Sequence, residues 1–293
     1  MIGHSILTSP IETRKLLMAV TTDDIRDAIT RLDLAGHPVC VHSSLRSFGK
    51  VEGGAAAIIA GFAAVGCTLL VPTFSYRFSV PPPPDQRPAR NGWDYDSDPD
   101  TSPGTGLVYT PDSPAIDRSM GALPAAVLAR PERARGDHAL NSFAAIGPLA
   151  HSLVSRQRPL DVYGPLKGLA EADGFVLLMG VGPERMTPIH LAEMMAGRQL
   201  FRRWANGPDG RPMMVETGGC SEGFGNLAPT LARLAATRQV GSSRWLAVPA
   251  RSTLEALADA IRARSEVTWC GDPGCERCAD AVAGGPILLA EPD

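Results

Sequence analysis

A histidine and a glutamate three residues apart form the pattern in this chain best suited to acid–base chemistry. The segment TPIHLAE places His190 and Glu193 directly after the apolar run GFVLLMGVG, which predicts a buried strand. Thr187 is a suitable helix N-cap, and Pro188 is favoured at the first helical position. The spacing then puts both side chains on one helical face. A helix N-terminus favours the neutral imidazole, so His190 can accept a proton while Glu193 orients it. Spacing alone leaves an ordinary helix-start histidine as the alternative.

The second candidate is the loop HSSLRSFGKVEGG, residues 42–54, which follows a predicted strand and precedes a predicted helix. Such a loop offers backbone N–H groups, hydroxyls and two cations to an anionic group such as a phosphate. It has neither the lysine spacing of a P-loop nor the glycine pattern of a dinucleotide fold. A polar connector is an equally good interpretation of the loop by itself.

A cluster of cysteines near the C-terminus predicts a structural zinc site. Cys270, Cys275 and Cys278 follow one another at short spacing, and Cys220 can supply a fourth thiolate. The C-x2-C half suits zinc, although the second C-x2-C pair of the common zinc modules is missing. The alternative is a set of free thiols in a C-terminal turn.

The segment GCSEG fits the nucleophile-elbow pattern of serine hydrolases around Ser221. In that fold the catalytic histidine follows the serine, whereas all six histidines of this chain precede Ser221. The order of the residues therefore argues against a serine hydrolase.

An acidic run in the first half of the chain predicts a surface for a cationic ligand. Residues 85–100 contain five aspartates against two arginines, with Trp93 and Tyr95 between them. Carboxylates and aromatic rings together suit a cationic, sugar-like molecule. A solvated charged surface is the alternative.

The elements that must position these residues alternate between strand and helix, which predicts an α/β fold with parallel crossovers. We expect one domain over residues 1–293, with a substrate-side excursion at 77–120 and a cysteine-containing segment at 265–293. The strands are predicted at Pro38–His42, Cys67–Val71, Ser142–Ile146, Gly174–Val181 and Trp245–Val248. The helices are predicted from Thr21 or Thr22 to Gly36, at Ala55–Ala64, Ala122–Ala129, Pro148–Ser155, from Pro188, at Asn226–Thr237 and at Thr253–Arg264.

Composition narrows the class of protein. The chain has 293 residues, 20% of them charged, and a formal net charge of −3. That balance argues against a sequence-independent nucleic-acid binder, which needs a basic face. No apolar run approaches the length of a membrane span, and no basic start precedes an apolar stretch. We therefore expect a cytoplasmic protein that binds neither nucleic acid nor membrane.

Taken in order, seven segments of the chain resemble the aminoglycoside 3-N-acetyltransferase family, which is distinct from the common GNAT acetyltransferases. They are VHSSLRSFGKVEGG, LLVPTFSY, MGALP, HALNSFAAIGP, GFVLLMGVG, TPIHLAE and GGCSEGF. The resemblance implies a three-layer α/β/α fold with a mixed central sheet, acetyl-CoA as the acetyl donor and an amine as the acceptor.

The resemblance also implies roles for individual residues. His190 matches the general base and Glu193 its carboxylate partner, in a direct transfer without an acyl-enzyme. The expected contacts with coenzyme A are Ser43, Ser44, Leu45, Arg46, Ser47, Ser142 and Phe143. The matching segments and the acidic run together give Tyr76, Asp94, Asp96 and Glu222 as expected contacts with the acceptor.

Two other functions remain open at this point. One is a metal-dependent hydrolase that uses His190, Glu193 and the cysteines. The other is a protein that binds a drug or coenzyme A without turning it over. The expected partners are acetyl-CoA and an aminoglycoside-like amine, and the sequence is compatible with a monomer or a homodimer.

Overall fold

The computed structural model describes residues 19–95, 97 and 106–287, which contain two β-sheets. The central sheet has seven strands in the order β4-β5-β2-β1-β6-β10-β9, and a smaller sheet has the order β3-β7-β8. The strands are β1 (Pro38–Ser43), β2 (Thr68–Pro72), β3 (Ser79–Val80), β4 (Ala134–Arg135), β5 (Phe143–Ile146), β6 (Phe175–Met179), β7 (Phe201–Asn206), β8 (Pro212–Thr217), β9 (Ala236–Val240) and β10 (Ser243–Pro249). The α-helices are α1 (Thr22–Arg31), α2 (Gly54–Ala64), α3 (Ala122–Leu128), α4 (Ala150–Val154), α5 (Gly164–Glu171), α6 (Pro188–Met195), α7 (Ala228–Ala232), α8 (Ala250–Ala263) and α9 (Glu276–Val282).

Helices cover both faces of the central sheet, so the predicted three-layer α/β/α architecture is confirmed. Successive side chains of a strand point to opposite faces. In β1, Val39 and Val41 pack into the core formed with α1, α2 and α3. Cys40 lies between them and packs into the core formed with α4 to α8. The sequence of a strand that is buried on both faces is a nearly continuous run of apolar residues. The sequences of β1, β2 and β6 are runs of this kind.

The central sheet is mixed, as expected, and its parallel part creates one edge where loops converge. β1 pairs in parallel with β2 and with β6, while β10 and β5 pair antiparallel with β6 and β2. The carboxyl ends of the three parallel strands, at Ser43, Pro72 and Met179, therefore lie at the same edge. In open α/β sheets this edge is where ligands bind.

Several local predictions are confirmed. Thr21 caps α1 with a full capping box, because its Oγ1 accepts a hydrogen bond from Asp24 N–H and Asp24 accepts one from Thr21 N–H. The crossover from β1 through α2 to β2 is parallel, as the sequence pattern indicates.

Pro188 begins α6, but Thr187 has helical backbone angles and its side chain makes no cap hydrogen bond. The N-cap predicted for Thr187 is therefore wrong.

The helix predicted over Asn226–Thr237 is wrong in its second half. α7 ends at Ala232, and residues Ala236–Val240 form β9, which pairs with β10 across a tight turn. The turn uses Gly241 at a positive φ of 56°, which is what short hairpin loops require. Pairing with β10 outweighs the helical preference of the alanines in this segment. The hairpin β7–β8, which falls within a region read as polar and glycine-rich, was also not predicted.

No helix in the part of the chain that the structure describes is long and apolar enough to cross a membrane.

The close approach of α1 and α2 depends on a glycine. A Cβ placed on Gly61 of α2 would lie 2.5 Å from Cγ2 of Ile25 and 2.9 Å from its Cβ, on buried α1. Glycine inside a helix normally costs about 1 kcal/mol relative to alanine. Here the added methyl group must push two helices apart, which costs about 1–3 kcal/mol.

We therefore expect Gly61→Ala to lower the free energy of unfolding by about 1–2 kcal/mol, measured by urea denaturation. Gly225→Ala is the matched control, because no atom lies within 4 Å of its added Cβ. A Gly61→Ala protein as stable as the parent would contradict this account of the packing.

Candidate active site

His190 and Glu193 form a buried pair on α6. His190 Nδ1 lies 2.7 Å from Glu193 Oε2, and the two side chains are 9% and 7% exposed. The three-residue spacing on one helical face produces this contact, as the sequence predicts. With Nδ1 held by the carboxylate, the proton-accepting position of a neutral imidazole is Nε2. Nε2 has no hydrogen-bond partner among the residues that the structure describes.

Aromatic rings and a glycine fix the plane of the His190 ring. Tyr163 stacks on it at 6.2 Å between ring centroids with an interplanar angle of 6°, and Phe224 meets it edge-on at 4.8 Å. Gly218 passes so close that a Cβ there would lie 2.4 Å from His190 Cδ2 and 2.6 Å from Nε2. The ring is therefore held on several sides, and a side chain at residue 218 would collide with it.

Arg198 completes the network around Glu193. Its Nη1 lies 2.5 Å from Glu193 Oε1 and donates a hydrogen bond of 2.8 Å to Thr268 Oγ1, and Nη2 donates to the Ser265 carbonyl oxygen. Both charged side chains are 7% exposed, so the ion pair is shielded from water. The sequence analysis missed Arg198, since it lies beyond the end of α6 and belongs to no motif.

A large pocket lies at the edge where the parallel strands end. This strand-end pocket has a volume of about 690 Å³ and includes Ser43, Ser44, Leu45 and Arg46 from the loop after β1. Other lining residues follow β2 and β6 or surround the start of α3, among them Pro72, Phe74, Arg118, Ser119, Arg185 and Thr187. The structure therefore brings together four of the seven residues expected to contact coenzyme A.

Three exposed arginines give the strand-end pocket a positive character. Arg46, Arg118 and Arg185 all line it. None of them lies within 4.0 Å of a carboxylate oxygen in the part of the chain that the structure describes. An unneutralised cluster of this kind suits a ligand with several negative charges, such as a group of phosphates.

The remaining three expected contacts do not line the strand-end pocket. Ser47 Oγ donates to the Ser44 carbonyl oxygen at 2.6 Å and also hydrogen-bonds with Ser243 Oγ at 2.8 Å, which ties the loop to β10. Ser142 is fully buried and its Oγ bonds with Thr73. Phe143 is fully buried in the core of the central sheet. The structure does not bring these three side chains to the pocket, and their contact with coenzyme A stays a prediction.

His42 was not among the expected site residues, yet it lines the same pocket. Burial lowers the pKa of His42 to about 3. The ring is therefore neutral at physiological pH and adds no charge to the pocket. Its nearest polar neighbour is Cys40 Sγ, 3.7 Å from Nε2.

A second pocket lies beside Gly218, against which the His190 ring packs. This aromatic pocket has a volume of about 270 Å³ and includes Gly218, whose backbone covers the His190 ring. Four aromatic residues and two arginines are among those that line it: Tyr76, Trp93, Tyr95, Trp204, Arg203 and Arg277. Tyr76 is thus the one expected acceptor contact that the structure places in this pocket.

The other expected acceptor contacts lie elsewhere or outside the described residues. Asp94 hydrogen-bonds with Ser97 and is absent from the lining of both pockets. Glu222 is exposed and lines neither pocket. Asp96 lies outside the described residues. The structure therefore does not bring Asp94 and Glu222 to either pocket, and their contact with the acceptor stays a prediction.

A different acid, Glu216, lies at the end of β8 directly before the pocket residues Thr217 and Gly218. Its Oε1 pairs with Arg202 Nη1 at 2.9 Å, and its Oε2 is buried without a partner among the described residues. Burial raises the pKa of this carboxyl group. Like Asp94 and Glu222, Glu216 lines neither pocket.

The four cysteines of the predicted zinc site come together. The Sγ atoms of Cys220, Cys270, Cys275 and Cys278 all lie within 4.8 Å of one another. In the part of the chain that the structure describes, neither His190 nor Glu193 belongs to this cluster. The histidine and the glutamate are therefore not brought to the cysteines, which does not favour a hydrolase that uses all of them.

Comparison with known proteins gives a consistent family. A family model described as aminoglycoside 3-N-acetyltransferase matches residues 40–262. The aminoglycoside N(3)-acetyltransferase IV of Salmonella sp is 34% identical over 167 residues, which cover 55% of this chain and 53% of that protein. The match therefore spans about half the length of that relative.

Solved structures share the fold over most of the chain. A mutant of the aminoglycoside acetyltransferase AAC(3)-IVa in complex with a gentamicin superimposes with a TM-score of 0.71 and 24% identity, covering 91% of this chain and 98% of that one. AAC-IIIb in a binary complex with CoASH gives a TM-score of 0.65 and 21% identity, covering 84% and 98%. At these identities the likeness shows the fold.

The shared carboxylate makes a testable prediction about stability. Glu193→Ala leaves the Arg198 guanidinium buried without its counter-charge, and we expect it to lower the free energy of unfolding by about 3–5 kcal/mol. Replacing Arg198 by Met as well removes the unpaired charge, so the double variant should be more stable than Glu193→Ala alone. Urea denaturation of the three proteins measures this. A double variant less stable than the single one would contradict the pairing.

Proposed function

The chain belongs to the aminoglycoside 3-N-acetyltransferase family, and from this premise we propose that it transfers the acetyl group of acetyl-CoA to an amine of an aminoglycoside. The observation that carries the proposal is the buried His190–Glu193 pair, whose Nδ1–Oε2 distance of 2.7 Å leaves Nε2 as the proton acceptor. His190 itself lines neither pocket, but its helix contributes Thr187 to one, and its ring packs against Gly218, which lines the other. We propose that ligands held in both pockets reach this base.

The strand-end pocket fits the donor. Coenzyme A carries several phosphates, and Arg46, Arg118 and Arg185 offer three unneutralised cations along the pocket wall. The volume of about 690 Å³ suits a large ligand that is only partly enclosed. The hydroxyls of Ser43 and Ser44 are side-chain donors in the same pocket. The structure of AAC-IIIb with CoASH supports this choice of donor through the shared fold.

The chemistry then follows from the state of His190. Nε2 accepts a proton from the acceptor ammonium or from the attacking amine, while Glu193 holds Nδ1–H and stabilises the imidazolium that forms. Acetyl-CoA supplies the acetyl thioester. The amine nitrogen bonds to the carbonyl carbon, the carbon–sulfur bond breaks, and the proton held by His190 can pass to the leaving thiolate. No covalent intermediate on the chain is required.

The aromatic pocket fits a sugar ring more clearly than it fits a highly charged cation. Tyr76 and Trp93 are exposed and offer ring faces against which a sugar ring can stack. The lining of this pocket includes no acidic side chain among the described residues, so we propose that ring stacking holds the acceptor there. A complex of a related fold with a gentamicin supports an aminoglycoside acceptor.

The experiment that tests the proposal incubates the protein with acetyl-CoA and a panel of aminoglycosides and measures the release of free thiol. We expect thiol release with at least one aminoglycoside, and acetylation of the drug by mass spectrometry. Binding of both ligands without thiol release would overturn the proposal in favour of a protein that only sequesters them.

A single substitution tests the base. We expect His190→Ala to lower kcat by about 10²–10⁴-fold, because this is the usual contribution of general base catalysis, while the Kd for acetyl-CoA stays nearly unchanged. His151→Ala is the control, since His151 is exposed on α4. Undiminished turnover in His190→Ala would contradict the assignment.

The arginines of the strand-end pocket should act through the phosphates of the donor. We expect Arg46→Gln, Arg118→Gln and Arg185→Gln each to raise the KM for acetyl-CoA by about two- to fivefold, since exposed charge pairs contribute about 0.2–1 kcal/mol. The effect should shrink in high salt, and KM for the amine should stay the same. Arg31→Gln, at the end of α1, is the control. An equal rise in the KM for acetyl-CoA and in the KM for the amine would contradict the assignment of the three arginines to the donor phosphates.

A further inference from the structure

We propose that Cys220, Cys270, Cys275 and Cys278 bind one Zn²⁺ as a structural site, and that this ion joins two walls of the aromatic pocket. The four Sγ atoms lie within 4.8 Å of one another. A tetrahedral ion with Zn–S bonds of about 2.3 Å places its sulfur ligands about 3.8 Å apart, so small side-chain movements suffice for coordination. Four thiolates complete the tetrahedron, which is typical of structural sites and leaves no position for substrate.

The arrangement of the ligands along the chain also suits zinc. Cys275 is the residue before α9 and Cys278 lies in its first turn, so the C-x2-C pair spans a helix start. Cys270 comes from the preceding loop, and its N–H donates to Cys278 Sγ at 3.5 Å. Cys220 reaches the cluster from a distant part of the chain, after β8. The ion would therefore join segments that the sequence keeps about fifty residues apart.

The segment around α9 lacks a hydrophobic core of its own. Between Gly271 and Val282, Cys278 is the one buried side chain. α9 is seven residues long, shorter than a helix that is stable by itself in water. Small segments without enough apolar burial are commonly held by metals or disulfides. A metal ion at the cysteines would supply the missing stabilisation.

Two walls of the aromatic pocket connect directly to the cluster. Gly218 and Gly219 line the pocket and immediately precede Cys220. Arg277, between two of the cysteines, lines it as well. α9 also holds the loop that carries Trp93, because Gly92 N–H donates to Asp280 Oδ2 at 2.5 Å. A Cβ on Gly92 would lie 2.9 Å from Arg277 Cγ, which shows how closely the loop packs on the helix.

The metal content of the purified protein is the first test. Elemental analysis of protein prepared without chelators should give about one Zn²⁺ per chain. Cys275→Ser and Cys278→Ser should each lose most of it, because three thiolates bind the ion more weakly than four. Cys67→Ser is the matched control, since Cys67 is a buried cysteine outside the cluster. These measurements need no activity and so stand apart from the proposed function.

The second test asks what the ion holds in place. Wild-type protein stripped with a chelator should show faster amide hydrogen exchange at residues 90–95, 217–220 and 276–282 than the zinc-loaded protein. Exchange at residues 39–41, in the middle of β1, should not change. Readdition of Zn²⁺ should restore the slow exchange, which separates loss of the ion from general unfolding.

A kinetic comparison rests on the proposed function and is therefore read last. Removal of zinc should raise the KM for the amine about tenfold or more and leave the KM for acetyl-CoA within about twofold, because the strand-end pocket uses other elements. Three results would overturn the proposal. The purified protein could contain no metal, or non-reducing mass spectrometry could show disulfides among the four cysteines. Amide hydrogen exchange at residues 217–220 could also stay unchanged when the ion is removed. Absence of transferase activity together with bound zinc would overturn the proposed function only.

Discussion

One buried carboxylate, that of Glu193, organises the catalytic end of the molecule. A charge taken out of water is tolerated when partners satisfy it, and Glu193 has two: His190 Nδ1 at 2.7 Å and Arg198 Nη1 at 2.5 Å. Because each oxygen has its own partner, the carboxylate cannot turn without breaking one contact. The ring of His190 is thereby fixed in the orientation that exposes Nε2. The helix provides the three-residue spacing, and tertiary structure provides Arg198 and its anchors.

The two pockets differ in the charge of the side chains that line them. How far each of these side chains is buried determines whether it carries a charge into the pocket. The strand-end pocket carries exposed arginines, which remain solvated until a polyanion replaces their water. His42 is buried in the same pocket, and burial keeps it neutral by lowering its pKa to about 3. The aromatic pocket offers ring faces and two arginines, and no carboxylate is among its described lining residues. The charge of one pocket and the ring faces of the other underlie the proposed assignment of donor and acceptor.

Much of the fold could be predicted because its information is local. Apolar runs gave β1, β2 and β6, and the spacing in TPIHLAE gave the His190–Glu193 contact. What could not be predicted depends on tertiary contacts. β9 forms because β10 lies beside it, and Ser142 is taken up by hydrogen bonds to Thr73 that no spacing reveals. Arg198 was missed because it acquires its role from a partner on another element. Similarity to the family's motifs identifies the loop that should bind the ligand. It does not determine which side chains of that loop point toward the ligand.

The family model does not cover all the residues that line the aromatic pocket. The family model matches residues 40–262, which include the catalytic pair, Arg198 and the arginines of the strand-end pocket. Thr268, which anchors Arg198, and Arg277, which lines the aromatic pocket, both lie beyond that match. Three of the four clustered cysteines lie there as well. The His190–Glu193 pair and the strand-end pocket therefore come from the part that the family model matches, whereas one wall of the aromatic pocket comes from a segment beyond that match. Membership of the family therefore does not determine the shape of the pocket wall that carries Arg277. For this reason the amine acceptor has to be identified by measurement on this protein.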